Sequence, residues 1–278
     1  NLSLGAARIP DDAYRTGELI GQELRALGIN MNLAPTVDVY AHPDAAVIGP
    51  RAFSSDPVQT GILSVAFFRG LASTGVIATA KHFPGHGGVA GDSHGILPRS
   101  DADWETLWNR DLVPYRFLIK EGLQAIMNAH VSYPQITGFA TPASLSPFFH
   151  REVLRVRLDF KGIVISDDLE MRGAVSTNLD AADAAVKAIE AGNNLLLISH
   201  TPALQDKTWD SLLQQMSKPE FRDQVIESAR RVLRLKLQTF RSSSAVPLFP
   251  QRNVAELIPA DGAGEFFFNS AVRSVTAV

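Results

Sequence analysis

Val76-Ile77-Ala78-Thr79-Ala80-Lys81-His82-Phe83-Pro84-Gly85-His86-Gly87-Gly88-Val89-Ala90-Gly91-Asp92-Ser93-His94 holds the change of character that decides the fold. Residues 76–80 are small, apolar or β-branched and read as a strand buried on both faces. The 14 residues that follow contain one lysine, three histidines, one aspartate and four glycines. A buried strand that runs straight into a polar, glycine-rich loop is how α/β folds present chemistry to a ligand.

The same rhythm repeats outward from this stretch. Residues 31–39, 125–129, 163–166 and 195–199 are further short runs rich in Val, Ile, Leu and Ala that read as buried strands. Helical stretches are predicted between them. Residues 11–27 open on an aspartate pair suited to capping and stop at Gly28; residues 57–74 stop at Gly75, 102–122 at Gly122 and 180–191 at Gly192. Residues 201–240 read as helices and 242–250 as a loop rich in Ser and Pro. Helix, glycine, strand, polar loop, helix is β/α alternation and predicts a parallel sheet. A closed barrel is preferred to an open doubly wound sheet. Polar residues recur at the ends of several successive strands (Asp38, Lys81 and His82, His130, Asp167), whereas an open sheet gathers its ligand groups at one switch point.

Composition removes several function classes. At 45% hydrophobic and 20% charged residues the chain is an ordinary globular sequence. A net charge of -3 gives no electrostatic case for a nucleic-acid or membrane partner. The absence of cysteine excludes disulfides and thiolate metal sites. No apolar run approaches the ~20 residues of a membrane-spanning helix. No signal peptide is visible, and the compartment and oligomeric state stay open.

Two segments carry candidate chemistry. Ile163-Val164-Ile165-Ser166-Asp167-Asp168-Leu169-Glu170-Met171 ends an apolar strand in two carboxylates. These suit either a helix N-cap or a nucleophile at a barrel mouth. Asp92-Ser93-His94 reads either as a polar turn or as an acid/base pair, since an aspartate two residues from a histidine can fix its tautomer. His82, His86, His94 and Asp92 are also zinc ligands by type, which keeps a metal-dependent hydrolase as a rival. Pro84-Gly85 argues against it, by blocking the helix that would align His82 with His86.

The loop resembles that of family 3 glycoside hydrolases, in their β-N-acetylglucosaminidase branch. The pattern there is K-H-[FI]-P-G-H-G, four arbitrary residues, then D-[ST]-H, and every fixed position is met here. The strand ending Ser166-Asp167-Asp168-Leu169-Glu170-Met171 resembles the S-D-D/A-L-x-M of that family. Gly28-Ile29-Asn30-Met31-Asn32-Leu33-Ala34-Pro35-Thr36-Val37-Asp38-Val39 and Val47-Ile48-Gly49-Pro50-Arg51-Ala52-Phe53-Ser54-Ser55-Asp56-Pro57 agree as well, so the resemblance covers roughly residues 1–200 in order.

The resemblance implies an α/β fold, a (β/α)8 TIM-type barrel. About five strands are convincing, and the family's first strands, one bearing a D-Q-E-G-G-like segment not matched here, lie upstream of Asn1. Residues 1–278 are therefore expected to form one catalytic barrel domain incomplete at its N-terminus. Residues 271–278 resemble the approach to a second α/β domain. The resemblance further implies Asp167 as catalytic nucleophile, with His94 and Asp92 as acid/base dyad in place of the usual second carboxylate. Arg51, Lys81 and His82 are expected to bind substrate, with His130 lining the pocket beside them; the other reading of His130 is a satisfied core histidine. His86 is expected to bond the loop backbone. The expected activity is retaining hydrolysis of terminal β-linked N-acetylglucosamine from peptidoglycan fragments or chitooligosaccharides, with a small-molecule carbohydrate as the partner and without metal or organic cofactor. Two alternatives stay open: a phosphorylase, since a neutral histidine base does not repel an anionic acceptor, and an inactive carbohydrate-binding barrel. Ala191-Gly192-Asn193-Asn194 departs from the A-G-x-D of many relatives; asparagine keeps a hydrogen bond there and loses a charge.

Overall fold

A computed structural model describes residues 1–175 and 179–275. Five parallel strands, β1 (Met31–Asn32), β2 (Ile77–Phe83), β3 (Ala125–Asn128), β4 (Ile163–Asp168) and β5 (Leu195–Leu197), pair in chain order β1-β2-β3-β4-β5. A sheet that adds each new strand on the same side never reverses direction. It has no switch point and curls as part of a barrel, as the strand-end pattern of polar residues predicts.

Alternation along the strands assigns the two faces. Ala78, Ala80, Ile126 and Val164 point outward into the largest core cluster. There they meet Leu63, Phe67 and Leu71 of the helix Pro57–Ser73, Leu118 of the helix Val113–Lys120 and Leu154. Each fully buried Leu or Phe in this layer contributes roughly 1.5–3 kcal/mol over an exposed one. Ile77, Ala125, Met127, Ile163 and Ile165 point inward, where Val232 and Leu235 of the helix Pro219–Phe240 pack on them.

The elements differ from the sequence reading at their ends. The run 31–39 pairs regularly over two residues only. Pro35 has no N–H to donate, so the segment continues beside β2 by single bonds, Lys81 N–H to Pro35 O and Val37 N–H to Lys81 O. Thr36 bridges Lys81 there. β2 and β4 are longer than expected: Lys81, His82, Asp167 and Asp168 lie within the strands, not after them. The aspartate pair does not cap the first long helix, Pro10–Ala26. Pro10 occupies its first turn and Ile9 its N-cap, while Asp12 pairs with Arg273 at 2.7 Å. Asp56 and Asp180 do cap, each accepting a backbone N–H three residues on. The run 102–122 is broken into Trp104–Thr106, a wide turn over Leu107–Asp111, and Val113–Lys120. Residues 271–273 end the helix Ala263–Arg273, and residues 276–278 of the expected inter-domain approach lie outside the described residues. No helix among the described residues is long and apolar enough to cross a membrane.

Candidate active site at the strand ends

The site is organised by a carboxylate. Asp38 is buried, and it accepts the His82 ring Nδ1–H at 2.7 Å, the His82 N–H at 3.2 Å and the His86 N–H at 2.7 Å. Burial alone would push its carboxyl up in pKa; the His82 ring and the His82 and His86 donors overcome this and hold it below the usual carboxylate range. Arg51 lies on the far side of His82, with its Nη2 3.3 Å from Nε2. A guanidinium has only donors, so Nε2 accepts and Nδ1–H donates to Asp38. Both ring nitrogens of His82 are thus engaged in the free protein. Arg51 also donates to Val47 O at 3.0 Å, and Asp56 is occupied in capping.

Lys81 precedes His82 and has no carboxylate within ion-pair distance among the described residues. Its ammonium is pushed below the usual lysine range by burial and then by Arg51, against the opposing pull of Asp167 and Asp38. Groups from separate parts of the chain therefore converge here: Asp38 and Arg51 from the segments that follow β1, Lys81 and His82 on β2, and Asp167 on β4. Asp167 is half-buried, and its Oδ1 accepts the Asp168 N–H at 2.9 Å.

The glycine-rich loop arches over this cluster. Gly87 has backbone on top of it: a Cβ there would lie 2.1 Å from Val39 O. Its carbonyl accepts from Ala41 and His42 at 2.9 and 3.0 Å. The Tyr133 hydroxyl donates to Gly85 O. The His86 side chain bonds Ser93 Oγ at 3.1 Å and not the loop backbone expected from sequence. Burial lowers the pKa of its ring, so it stays neutral. Below the loop, Arg110 donates twice to buried Asp111, at 2.9 and 3.1 Å.

Burial nevertheless wins at Asp111 and raises its carboxyl to about 6. A carboxyl whose folded pKa exceeds its unfolded value of ~3.9 favours folding below that value. The advantage is lost as pH rises through about 6. Asp111→Asn is thus expected to gain stability relative to the parent between about pH 4 and pH 7. Urea unfolding at the two pH values checks this; parallel changes in both proteins would contradict it.

His94 and Asp92 sit at the end of the loop. Asp92 Oδ1 is 2.5 Å from His94 Nδ1 and also accepts the His94 N–H at 2.9 Å. Slight burial would raise the Asp92 carboxyl, and the His94 bonds outweigh it and lower it. With Nδ1–H directed at Asp92, Nε2 faces outward on a side chain that is 66% exposed. The loop is docked to the segment that follows Asp167: Gly173 N–H donates to Ser93 O at 2.9 Å and Arg172 N–H to His94 O at 3.3 Å. Gly173 permits this contact, since a Cβ would stand 3.0 Å from Ser93 O and 2.8 Å from the His130 side chain.

His130 differs from its expected pocket-lining role. It is fully buried, with Nδ1 2.7 Å from Ser144 Oγ and Nε2 3.0 Å from Asp168 O. It braces the end of β4 and offers no free nitrogen to a ligand. Asp168 Oδ1 accepts the Glu170 N–H at 3.0 Å, closing the turn after β4. Asn193 and Asn194 are buried and well bonded, Asn194 Oδ1 taking the Val164 N–H at 2.8 Å. Sequence reasoning passed over Ser93, Tyr133 and Glu170; only Ser93, inside the D-S-H motif, carried a signal. Among the described residues no group of three or more His, Cys, Asp or Glu side chains is arranged to hold a metal ion.

A parallel, sequentially wound sheet with its polar groups at the C-terminal strand ends defines a barrel-type α/β domain. Residues 1–235 match the Glycosyl hydrolase family 3 N terminal domain, and the chain belongs to that family. It is 42% identical over 207 residues to a Beta-hexosaminidase of Methylococcus capsulatus, covering 74% of this chain and 61% of the relative. A glycoside hydrolase family 3 beta-N-acetylglucosaminidase from Paenibacillus sp. superposes with a TM-score of 0.82 at 36% identity, covering 92% of this chain and 50% of that one. A beta-glucoside phosphorylase shares the fold, with a TM-score of 0.89 at 24% identity, covering 100% of this chain and 50% of that one.

Proposed function

We propose that this chain carries the catalytic machinery of a retaining exo-β-N-acetylglucosaminidase, acting on terminal β-linked N-acetylglucosamine of peptidoglycan fragments or chitooligosaccharides. The observation that carries the reading is the exposed His94. It is anchored through Nδ1 on Asp92, and its loop is hydrogen-bonded to the segment following Asp167. A carboxylate at a strand end and a histidine free to transfer a proton are the two groups that double displacement needs. The names of the relatives, Beta-hexosaminidase and beta-N-acetylglucosaminidase, support the substrate class.

In this mechanism Asp167 attacks the anomeric carbon as His94 Nε2 delivers a proton to the departing oxygen. A covalent glycosyl ester and a free alcohol result. His94, now neutral, takes a proton from water as the water attacks the ester, which restores Asp167 and releases the sugar. Asp92 holds the tautomer and stabilises the imidazolium that forms between turnovers. Arg51 and Lys81 donate to hydroxyls away from the reacting carbon, and charged donors make strong directional bonds. His82 aligns Arg51 and joins in hydroxyl binding only when Arg51 turns from Nε2 to the sugar.

A second reading, phosphorolysis, is favoured by one feature: the proposed base is neutral when it must act, so an anionic acceptor meets no second carboxylate. The test is release of p-nitrophenol from its β-N-acetylglucosaminide with and without phosphate. Turnover independent of phosphate supports the hydrolase, and acceleration by phosphate supports the phosphorylase. No turnover in either condition would leave a carbohydrate-binding barrel.

A further inference from the structure

The proposed mechanism leaves buried His86 without a task. Its backbone is fixed from both sides. The His86 N–H donates to Asp38 at 2.7 Å, the same carboxylate that takes the His82 ring. At Gly85 a Cβ would stand 2.8 Å from the Asp111 Cβ, and at Gly87 one would stand 2.1 Å from Val39 O. Both neighbours are thus packed against other segments with no room for a side chain. From this post the ring reaches the far end of the loop, where Nε2 lies 3.1 Å from Ser93 Oγ. The two residues are 2% and 3% exposed. Nδ1 is shut off from solvent with no partner among the described residues, so the bond to Ser93 alone sets the ring there. Between His86 and Ser93 the chain runs through Gly88, Val89, Ala90 and Gly91, the last at φ 101°. Glycines leave such a span free to bend, so it does not by itself fix where Ser93 sits.

Burying an imidazole with one nitrogen unpaired costs stability. A side chain kept only to fill the loop would be apolar. The His94 dyad, in contrast, lacks anchorage of its own. The His94 side chain leans on Asp92, itself 55% exposed, so the pair is no better fixed than the backbone that carries it. Ser93 is the middle of that backbone. We propose, resting on the glycosidase reading of Asp167 and His94, that His86 is a positioning residue that braces Ser93. Through this brace the acid/base histidine and the sugar-binding His82 are held in register by one carboxylate, Asp38. The other side of Ser93 is held by Gly173, whose N–H donates to its carbonyl at 2.9 Å.

Two measurements on the whole chain test this. Ser93→Ala and His86→Ala are each expected to lower kcat/KM about 10- to 100-fold on a poor leaving group, the size of effect a misplaced reacting group produces. On a dinitrophenyl glycoside, which departs without a proton, the loss is less than about threefold. The double variant loses no more than the worse single one, because both changes remove the same bond. His86→Gln, whose amide reaches the place of Nε2, recovers most of the loss; His86→Asn, whose amide ends near the place of Nδ1, does not. Ser93→Ala removes one oxygen and keeps the test open if His86→Ala does not fold. Equal losses on both substrates, additive losses in the double variant, or a Ser93→Ala that matches the parent would overturn the proposal. The second measurement needs no turnover. In amide hydrogen exchange the Gly173 N–H loses protection about 10-fold or more in Ser93→Ala, while the amides of β3 keep theirs. Unchanged protection at Gly173, or a loss that extends over β3, would overturn the brace. A parent that turns over no glycoside would count against the glycosidase reading, while the exchange still decides the His86–Ser93 brace.

Discussion

Asp167→Asn is expected to lower kcat on an aryl β-N-acetylglucosaminide by about 10⁴-fold or more, with Tm within a degree or so of the parent. Asparagine has nearly the same shape and can still accept the Asp168 N–H, the hydrogen bond that the Asp167 side chain makes among the described residues. What it cannot do is form an ester with the anomeric carbon. The electrostatic setting gives the change a second consequence. Lys81 is pushed below its usual range by burial and by Arg51, and Asp167 is one of the two carboxylates that oppose this. Removing that charge leaves Asp38 as the remaining carboxylate that opposes the repulsion of Lys81 by Arg51, so sugar binding weakens as well. Steady-state kinetics and a thermal melt on the same preparations check both parts. A variant that retains more than about a tenth of the activity would show that the reaction avoids Asp167.

His94→Ala carries the second largest expected effect, about 10²- to 10⁴-fold in kcat/KM on substrates with a poor leaving group. The loss should shrink towards unity for activated leaving groups such as dinitrophenol, because these depart without a proton. This dependence on leaving group distinguishes an acid from a residue that shapes the site. Stability should change by less than about 0.5 kcal/mol, as for surface substitutions elsewhere, because the His94 side chain is 66% exposed and, among the described residues, bonded only to Asp92. Asp92→Asn should fall between parent and His94→Ala: it keeps a partner for the ring but loses the charge that stabilises the imidazolium. Kinetics across a series of aryl leaving groups checks this, and equal losses on all of them would contradict acid catalysis by His94.

The barrel-type sheet was legible because parallel strands buried on both faces write continuous apolar runs, and each of the five runs became a strand. Their ends were less legible. Lys81, His82 and Asp167 are polar, so a reading based on hydrophobic runs stops before them, yet they belong to β2 and β4. There the backbone is held by neighbouring strands while the side chains serve the mouth of the sheet. The run 31–39 is paired regularly only at Met31–Asn32 for the opposite reason: it is apolar enough for a longer strand, but Pro35 removes a donor and Asp38 serves three donors from β2 and its loop. Candidate residues within one motif could be named from sequence, because the motif is itself a local structure. Partnerships between motifs could not. Nothing in the chain near His130 announces that Ser144 and the Asp168 carbonyl take its two nitrogens.

The most direct test of the proposed chemistry is to trap the covalent intermediate. The protein would be incubated with a fluorinated N-acetylglucosaminyl donor, whose ester forms faster than it hydrolyses, then digested with a protease and analysed by mass spectrometry. The account predicts a single glycosylated peptide, with the added mass on Asp167, and no adduct in Asp167→Asn. Turnover of the ordinary substrate without any adduct, or an adduct on another side chain, would contradict it.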